Sequence, residues 1–412
     1  MRHVVVMVTT SYPRFPGDSV GTFMEPIAKS VAARGHEVHI VAPWHPLVSR
    51  SAPEDGVTFH FYKYAPVESL NVFGYAAAMH ADVSLRGVAY AAAPLALAAG
   101  WRAARTVAKK HGATIMHGHW VIPGGVLAAA AMPALPLVVS LHGSDVYVAE
   151  TVGPARRAAR AVFRRAGVVT ACSSDLGRRA VALGADPARI VVVPYGVDVD
   201  RFRPDAERRA CLRQRLGATE STMVILAAGR LVKKKGFEYL IDAMGILRQD
   251  PEIVMVLAGD GDLRDELEAR AASAGIADRV RFLGNQSQDD VAGWLAAADI
   301  VVVPSVRDDS GNVDGLPNVV MEALASGTVL VATPAGGIGA IVQDDRTGVI
   351  VRERDAQALA AAVSSLVSDA GRRRRIGEAA RQMVATRFGW GETARQIEGA
   401  YDHALAIKST AS

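Results

Sequence analysis

The chain has 412 residues, half of them hydrophobic and 21% charged, with 46 Lys and Arg against 42 Asp and Glu for a formal net charge of +4. That length exceeds what one hydrophobic core usually serves, so two domains are expected, and the small net charge leaves no nucleic-acid partner expected. The two cysteines, Cys172 and Cys211, stand far apart in no metal-like spacing, so a disulfide framework is excluded and a reducing compartment is expected.

In chain order, Val4 to Val8 reads as a buried strand. Tyr12-Pro13-Arg14 follows with no cleavage-site pattern, so the opening reads as a strand and not as a signal peptide, and the protein is expected in the cytoplasm. The loop from Thr10 to Thr22 leads to a helix near Phe23, and Gly17 and Gly21 would let backbone N–H groups approach a phosphate. Further strands are predicted at Val38 to Val41, Ile115 to His117, Leu137 to Leu141, Val168 to Ala171 and Ile190 to Val193. Between them, the alanine-rich Gly87 to Trp101 is shorter than a membrane span and contains Pro94. It reads as a packed helix, or as an acceptor groove or docking face for a lipid-linked sugar. Arg156, Arg157, Arg160, Arg164 and Arg165 add a basic stretch suited to anionic headgroups. His119 precedes Gly124-Gly125 after a strand and is expected to face a cleft, whereas His117 also suits a satisfied structural role and His142 stays open.

A linker is expected at Pro194 to Pro204, and strands restart at Met223 to Ala228. Gly229-Arg230-Leu231-Val232-Lys233-Lys234-Lys235-Gly236 then precedes a helix from Phe237. Arg230 and Lys235 are thereby delivered to the carboxyl edge of a parallel sheet, where two cations would neutralise a diphosphate leaving group. Lys233 and Lys234 read as a solvated turn. After the strand Ile253 to Leu257, Asp260-Gly261-Asp262 reads as a tight turn at Gly261 with Asp262 capping a helix from Leu263, and no metal is expected there. The run Ile300 to Val303 is a buried parallel strand ended by Pro304-Ser305. A polar loop from Val306 to Asp314 leads into a helix from Leu316 to Ser326. Gly315, Leu316, Asn318 and Val319 at its start would cradle phosphate, and Glu322, two turns in, would accept hydrogen bonds from a ribose diol. Asp314 would face what the phosphate carries. Arg372 to Arg375 reads as a solvated helix start.

Gly229-Arg230-Leu231 with Lys235-Gly236, Gly259-Asp260-Gly261, Pro304-Ser305 and the Asp314/Glu322 pair resemble the donor half of family-four retaining glycosyltransferases. His117-Gly118-His119-Trp120, Leu141 to Asp145, Pro194 to Asp198 and Gly336-Gly337-Ile338 fall in that family's order. The resemblance implies an α/β GT-B fold, two Rossmann-like domains with parallel sheets facing across a cleft. The expected division is an acceptor-side domain at 1–195, a nucleotide-sugar domain at 196–388 and a terminal helix, 389–412, crossing back to the first. It further implies a hexosyltransferase that moves sugar from a UDP- or GDP-linked donor, with no cofactor, to a glycan, glycolipid, lipid-linked or small-molecule acceptor, with peripheral contact at the inner face of the membrane. His119 would approach the donor sugar, and backbone near Phe282 to Gly284 would hold the base. Attack on the same face would retain configuration, the leaving phosphate helping to remove the acceptor proton. The family usually has glutamate where this chain has Asp314, which shortens the reach by about 1.5 Å. The 307–313 loop resembles members that build surface glycans. The rival class is a non-catalytic nucleotide-sugar or glycan-binding GT-B protein. A pyridoxal phosphorylase finds no motif here, and an oxidoreductase lacks the Gly-x-Gly-x-x-Gly fingerprint after the first strand.

Overall fold

The computed structural model describes residues 2–18, 20–50, 53–75, 87–250 and 252–411. They form two units, Met1–Pro194 with Trp390–Ser412, and Tyr195–Gly389. The first holds seven strands: β1 (Val4–Val8), β2 (Glu37–Pro43), β3 (Val57–Tyr62), β4 (Ile115–His119), β5 (Leu137–Leu141), β6 (Val168–Ala171) and β7 (Ile190–Val192). Their order is β3-β2-β1-β4-β5-β6-β7, every pair parallel. The second unit orders β10-β9-β8-β11-β12-β13 from β8 (Met223–Ala228), β9 (Ile253–Ala258), β10 (Val280–Gly284), β11 (Ile300–Val303), β12 (Val329–Ala332) and β13 (Val349–Ile350). Central strands such as β1, β4, β5 and β11 are buried almost throughout, because helices cover both sheet faces.

In each sheet the chain builds outward in one direction and then restarts beside its first strand. The reversal falls between β1 and β4 in one unit and between β8 and β11 in the other. Such switch points open a crevice at the carboxyl ends of the strands, where α/β sheets bind ligands. His119 ends β4, and the loops carrying Lys235 and Asp314 leave β8 and β11.

Several sequence expectations shift. β4 runs two residues beyond His117, so His119 lies inside the strand and is fully buried. β3 was not foreseen, because Val57-Thr58-Phe59-His60 alternates apolar and polar residues at a sheet edge instead of forming an apolar run. The helix Gly87–Lys110 continues through Pro94. One side of it packs, with Gly100 against Tyr62 and Leu127, while Leu95, Leu97 and Trp101 stay exposed.

The terminal helix Trp390–Ala411 packs on the helix Met24–Ala33 and on β5 and β6. Its Tyr401 is fully buried and hydrogen-bonds Nδ1 of His117 at 2.8 Å. Nε2 of His117 meets Ser140 Oγ at 2.7 Å, and Ser140 meets Thr170 at 2.6 Å. Burial lowers His117 to about 3, so its ring is neutral and serves as one donor and one acceptor in this line. His117 is therefore a satisfied structural histidine. Tyr401→Phe should lower the unfolding free energy by about 1–3 kcal/mol, since it strands a buried ring nitrogen. Urea unfolding of the two proteins would check it, and equal midpoints would refute it.

Candidate active site

The second unit's ligand edge is assembled chiefly by backbone. Leu231 N–H donates to Asp260 O at 3.0 Å and Leu263 N–H to Leu231 O at 3.0 Å, tying the loop after β8 to the loop after β9. Val306 N–H donates to Lys234 O at 2.9 Å, tying the first of these to the loop after β11. Two glycines permit the closest approaches. A Cβ on Gly261 would lie 2.6 Å from Leu231 O, and one on Gly336, at φ +59°, would lie 2.0 Å from the carbonyl oxygen of Asp314.

Asp314 sits between two ammonium groups on this frame. Lys235 Nζ is 2.6 Å from Oδ2 and Lys234 Nζ is 3.4 Å from Oδ1, with the carboxylate 16% exposed. Burial alone would raise its pKa, but Lys235 and then Lys234 outweigh that and hold it at about 2. The solvated-turn expectation for Lys234 is thus wrong. The short 3₁₀ turn Lys233–Lys235 leaves Lys233 exposed, buries Lys234 and turns both Lys234 and Lys235 onto the carboxylate. A run of three lysines carries no sequence signal for which one turns inward. Arg230 lies exposed on the same loop.

The helix after Asp314 spans Asn318–Ser326, not from Leu316, with Pro317 in extended geometry as its first flanking residue. Proline disfavours helical backbone in the residue before it, which keeps Leu316 out of the helix. Glu322 therefore lies little more than one turn inside. Burial raises its carboxyl to about 7, against the pull of Arg201 and Lys235. Gly315 and Leu316 are buried, Asn318 half-buried, and Val319 buried in the first turn. Phe282 is half-buried near the end of β10, with the Arg264 guanidinium 5.8 Å from its ring centre. Asp262 caps nothing: the helix Arg264–Ser273 starts one residue later, with Leu263 before it and no side-chain cap.

In the first unit, His119 Nδ1 lies 3.2 Å from His142 Nε2, and the rings stack at 5.4 Å. Burial holds both neutral, with His142 at about 3, and His119 Nε2 is buried with no hydrogen-bond partner among the described residues. Asp145, with no sequence signal beyond its place in the Leu141 to Asp145 motif, sets this corner. Its carboxylate accepts from Val121 N–H at 2.7 Å, Gly143 N–H at 2.9 Å and His142 N–H at 3.2 Å, joining the loops after β4 and β5. Gly21 takes φ +67° beside Ser11 and accepts from Met24 N–H at 2.9 Å just before the helix Met24–Ala33. The basic stretch is partly spent within the unit. Arg160 donates to Leu183 O at 3.2 Å and Arg165 to Pro133 O at 2.6 Å. Arg372, expected in solvent, instead bonds Asp345 at 2.8 Å.

Two doubly wound parallel sheets with a charged switch point define a GT-B glycosyltransferase architecture. Residues 20–201 match the model for Glycosyltransferase Family 4, and residues 209–383 that for Glycosyl transferases group 1. The GDP-mannose-dependent alpha-(1-6)-phosphatidylinositol monomannoside mannosyltransferase of Mycobacterium tuberculosis is 33% identical over 281 residues, 66% of this chain and 73% of that one. The chain belongs to the family-four glycosyltransferases. It is also 39% identical to the D-inositol 3-phosphate glycosyltransferase of Xylanimonas cellulosilytica over 54% of this chain, a match that spans 53% of that relative's length. Two solved structures share the fold. Anabaena HepE in complex with UDP is 21% identical with a TM-score of 0.76, covering 97% of this chain and 99% of that one. Sucrose-phosphate synthase from Thermosynechococcus elongatus is 19% identical with a TM-score of 0.79, covering 98% of this chain and 100% of that one.

The two carboxylates give stability slopes of opposite sign. Raised from 4.5 to about 7 in the fold, Glu322 contributes stability that is complete below pH 4.5 and is lost as pH rises through about 7. Lowered from 3.8 to about 2, Asp314 contributes stability above pH 3.8 that is lost as pH falls through about 2. Glu322→Gln should therefore gain on wild type as pH climbs between those first two values, read by urea unfolding at several pH values. A pH-independent difference would refute the assignment.

Proposed function

We propose that the protein is a retaining hexosyltransferase using a UDP- or GDP-linked sugar and no cofactor or metal in the transfer step. Its acceptor is a glycolipid or lipid-linked glycan in surface-glycan or glycolipid biosynthesis. The observation that carries the reading is the Asp314–Lys235–Lys234 cluster at the second sheet's switch point, beside the start of the Asn318–Ser326 helix. Two ammonium groups against one carboxylate leave an excess positive charge, and the helix start adds unpaired N–H groups, a combination suited to a diphosphate.

In this reading the nucleotide's phosphates meet the helix start at Gly315, Leu316, Asn318 and Val319, with Lys235 and Arg230 neutralising the leaving diphosphate. Glu322 takes the ribose diol, and Gly261 and Phe282 border the nucleotide. Asp314, ionised at any ordinary pH, does not shuttle a proton. It orients the sugar by accepting hydrogen bonds from its hydroxyl groups and favours the positive charge that grows at the anomeric carbon. In the first unit, His119 Nε2, neutral and without a hydrogen-bond partner among the described residues, suits a hydrogen bond from a sugar hydroxyl, and the backbone at Gly21 suits a phosphate. The acceptor oxygen attacks the face the diphosphate leaves, and the departing phosphate oxygen takes the acceptor's proton, so configuration is retained. The names of the two relatives, one using GDP-mannose on a phosphatidylinositol mannoside and one acting on inositol 3-phosphate, support a glycolipid or inositol-phosphate acceptor class.

A panel of UDP-, GDP-, ADP- and dTDP-sugars, read by thermal shift and released nucleotide, tests the donor class. One donor should stabilise the protein and hydrolyse slowly. Asp314→Ala should then lower turnover by at least about 100-fold, the scale of losing one transition-state electrostatic partner, while nucleotide binding persists. Unchanged turnover would remove the role of Asp314, and no response to any donor would favour a non-catalytic binder. The exposed Leu95, Leu97 and Trp101 support peripheral membrane contact. Co-sedimentation with anionic vesicles at low salt should recover the protein, and absence from the pellet would end that part of the proposal.

A further inference from the structure

The face of the β2–β3 pair under the Gly87–Lys110 helix should be apolar, yet three imidazoles meet there. The register pairs His39 with Thr58 and Val41 with His60, so His39 and His60 share this face, while Ile40 and Phe59 enter the core on the other. His111, the first residue past the helix, closes over them: its ring centre is 4.0 Å from that of His39 and 5.6 Å from that of His60. One nitrogen from each ring lies within 4.8 Å of the others.

The donor set has the features of a ligand cage. His39 Nδ1 and His60 Nε2 are 3.1 Å apart, close to the roughly 3.3 Å that separates two ligand nitrogens bound to one tetrahedral zinc at 2.0–2.1 Å. His39 Nε2 sits 3.0 Å from Glu37 Oε1, which holds the proton on that nitrogen and turns the Nδ1 lone pair toward His60. His111 Nε2 is buried with no hydrogen-bond partner among the described residues, and its Nδ1 is 3.9 Å from the same Glu37 oxygen. Burial lowers His39, and burial with the neighbouring rings holds His60 at about 4, so these two are neutral and able to ligate at ordinary pH. A purely structural histidine cluster would leave that Nε2 orphaned at an energetic cost.

We propose that His39, His60 and His111 form a binding site for a late first-row divalent cation, zinc foremost, with Glu37 orienting His39 from the outer shell and water completing the coordination. An all-imidazole set selects such ions over magnesium or calcium. His111 lies on the turn leading to the start of β4, whereas His119 lies at that strand's end, so the site is at the opposite edge from the ligand crevice. The cation would clamp the helix end to the β2–β3 edge, and this does not depend on the transferase reading.

Tag-free protein, stripped with chelator and desalted, would be titrated with Co2+ for visible d–d bands, then with Zn2+ in competition. The expected result is one equivalent per chain, a tetrahedral-type spectrum and a rise in Tm with Zn2+. His60→Ala and His111→Ala should each weaken zinc by more than about 100-fold, beyond the 10–100-fold expected for the outer-shell Glu37→Gln. Should His60→Ala fail to fold, His111→Ala, on its turn, carries the test after its circular dichroism and chelator-treated Tm are matched to wild type. Absence of the bands and of the Tm rise, or wild-type zinc affinity in His111→Ala, would overturn the site.

Discussion

A carboxylate buried between two lysines is the constraint on which the second unit's ligand edge depends. Asp314 leaves β11's loop and Lys234 and Lys235 leave β8's, so the ion cluster ties together the two strands that flank the switch point. An isolated charge at that depth would carry a large desolvation penalty and would neutralise instead. With Lys235 at 2.6 Å the carboxylate stays ionised, and the second lysine means its charge is more than balanced. The surplus gives this edge a net positive charge. The same contact that holds the loops thus sets the sign of the field where a helix start already presents N–H groups.

Asp314 and Glu322 are neighbours in sequence with opposite protonation behaviour, one held at about 2 and the other raised to about 7. Both are only partly exposed to water. What differs is the cation: Lys235 touches Asp314, whereas it and Arg201 act on Glu322 only at a distance. Burial then wins at Glu322. One group is a permanent charge, and the other changes state near neutrality, so a diol that donates to it would also draw it toward the ionised form.

Much of this architecture was legible from residue pattern. Strands buried on both faces, such as β1, β8 and β11, announce themselves as unbroken apolar runs with boundaries that match residue for residue. The edge strand β3 does not, since polar Thr58 and His60 alternate with its apolar residues and break the run. Glycine-bracketed loops after strands placed Lys235 and Asp314 on adjacent edges, but no local rule told Lys234 from Lys233, because that depends on the turn's rotation. The helix start slipped from Leu316 to Asn318 through the conformational effect of Pro317, and Asp262 lost its cap because the chain enters the helix at Arg264. The histidine cluster was invisible for a different reason. Residues 39, 60 and 111 have no ligand-like spacing, and only the register of β2 on β3 and the length of the Gly87–Lys110 helix bring them together.

The two units solve the problem of buried polarity in different ways. In the second, the loops meet through peptide groups, with Gly261 and Gly336 allowing carbonyls to approach where any side chain would collide. In the first, buried side chains do the joining: Asp145 gathers three N–H groups, and Tyr401, His117, Ser140 and Thr170 form a line that reaches from the terminal helix across β4 and β5 to β6. A frame held by backbone tolerates change in the side chains around it, whereas a line of buried polar groups does not, since each lost member strands its neighbour. The terminal helix is therefore bound into the first unit by hydrogen-bond satisfaction as well as by apolar packing, and its removal would expose a polar core as well as an apolar one.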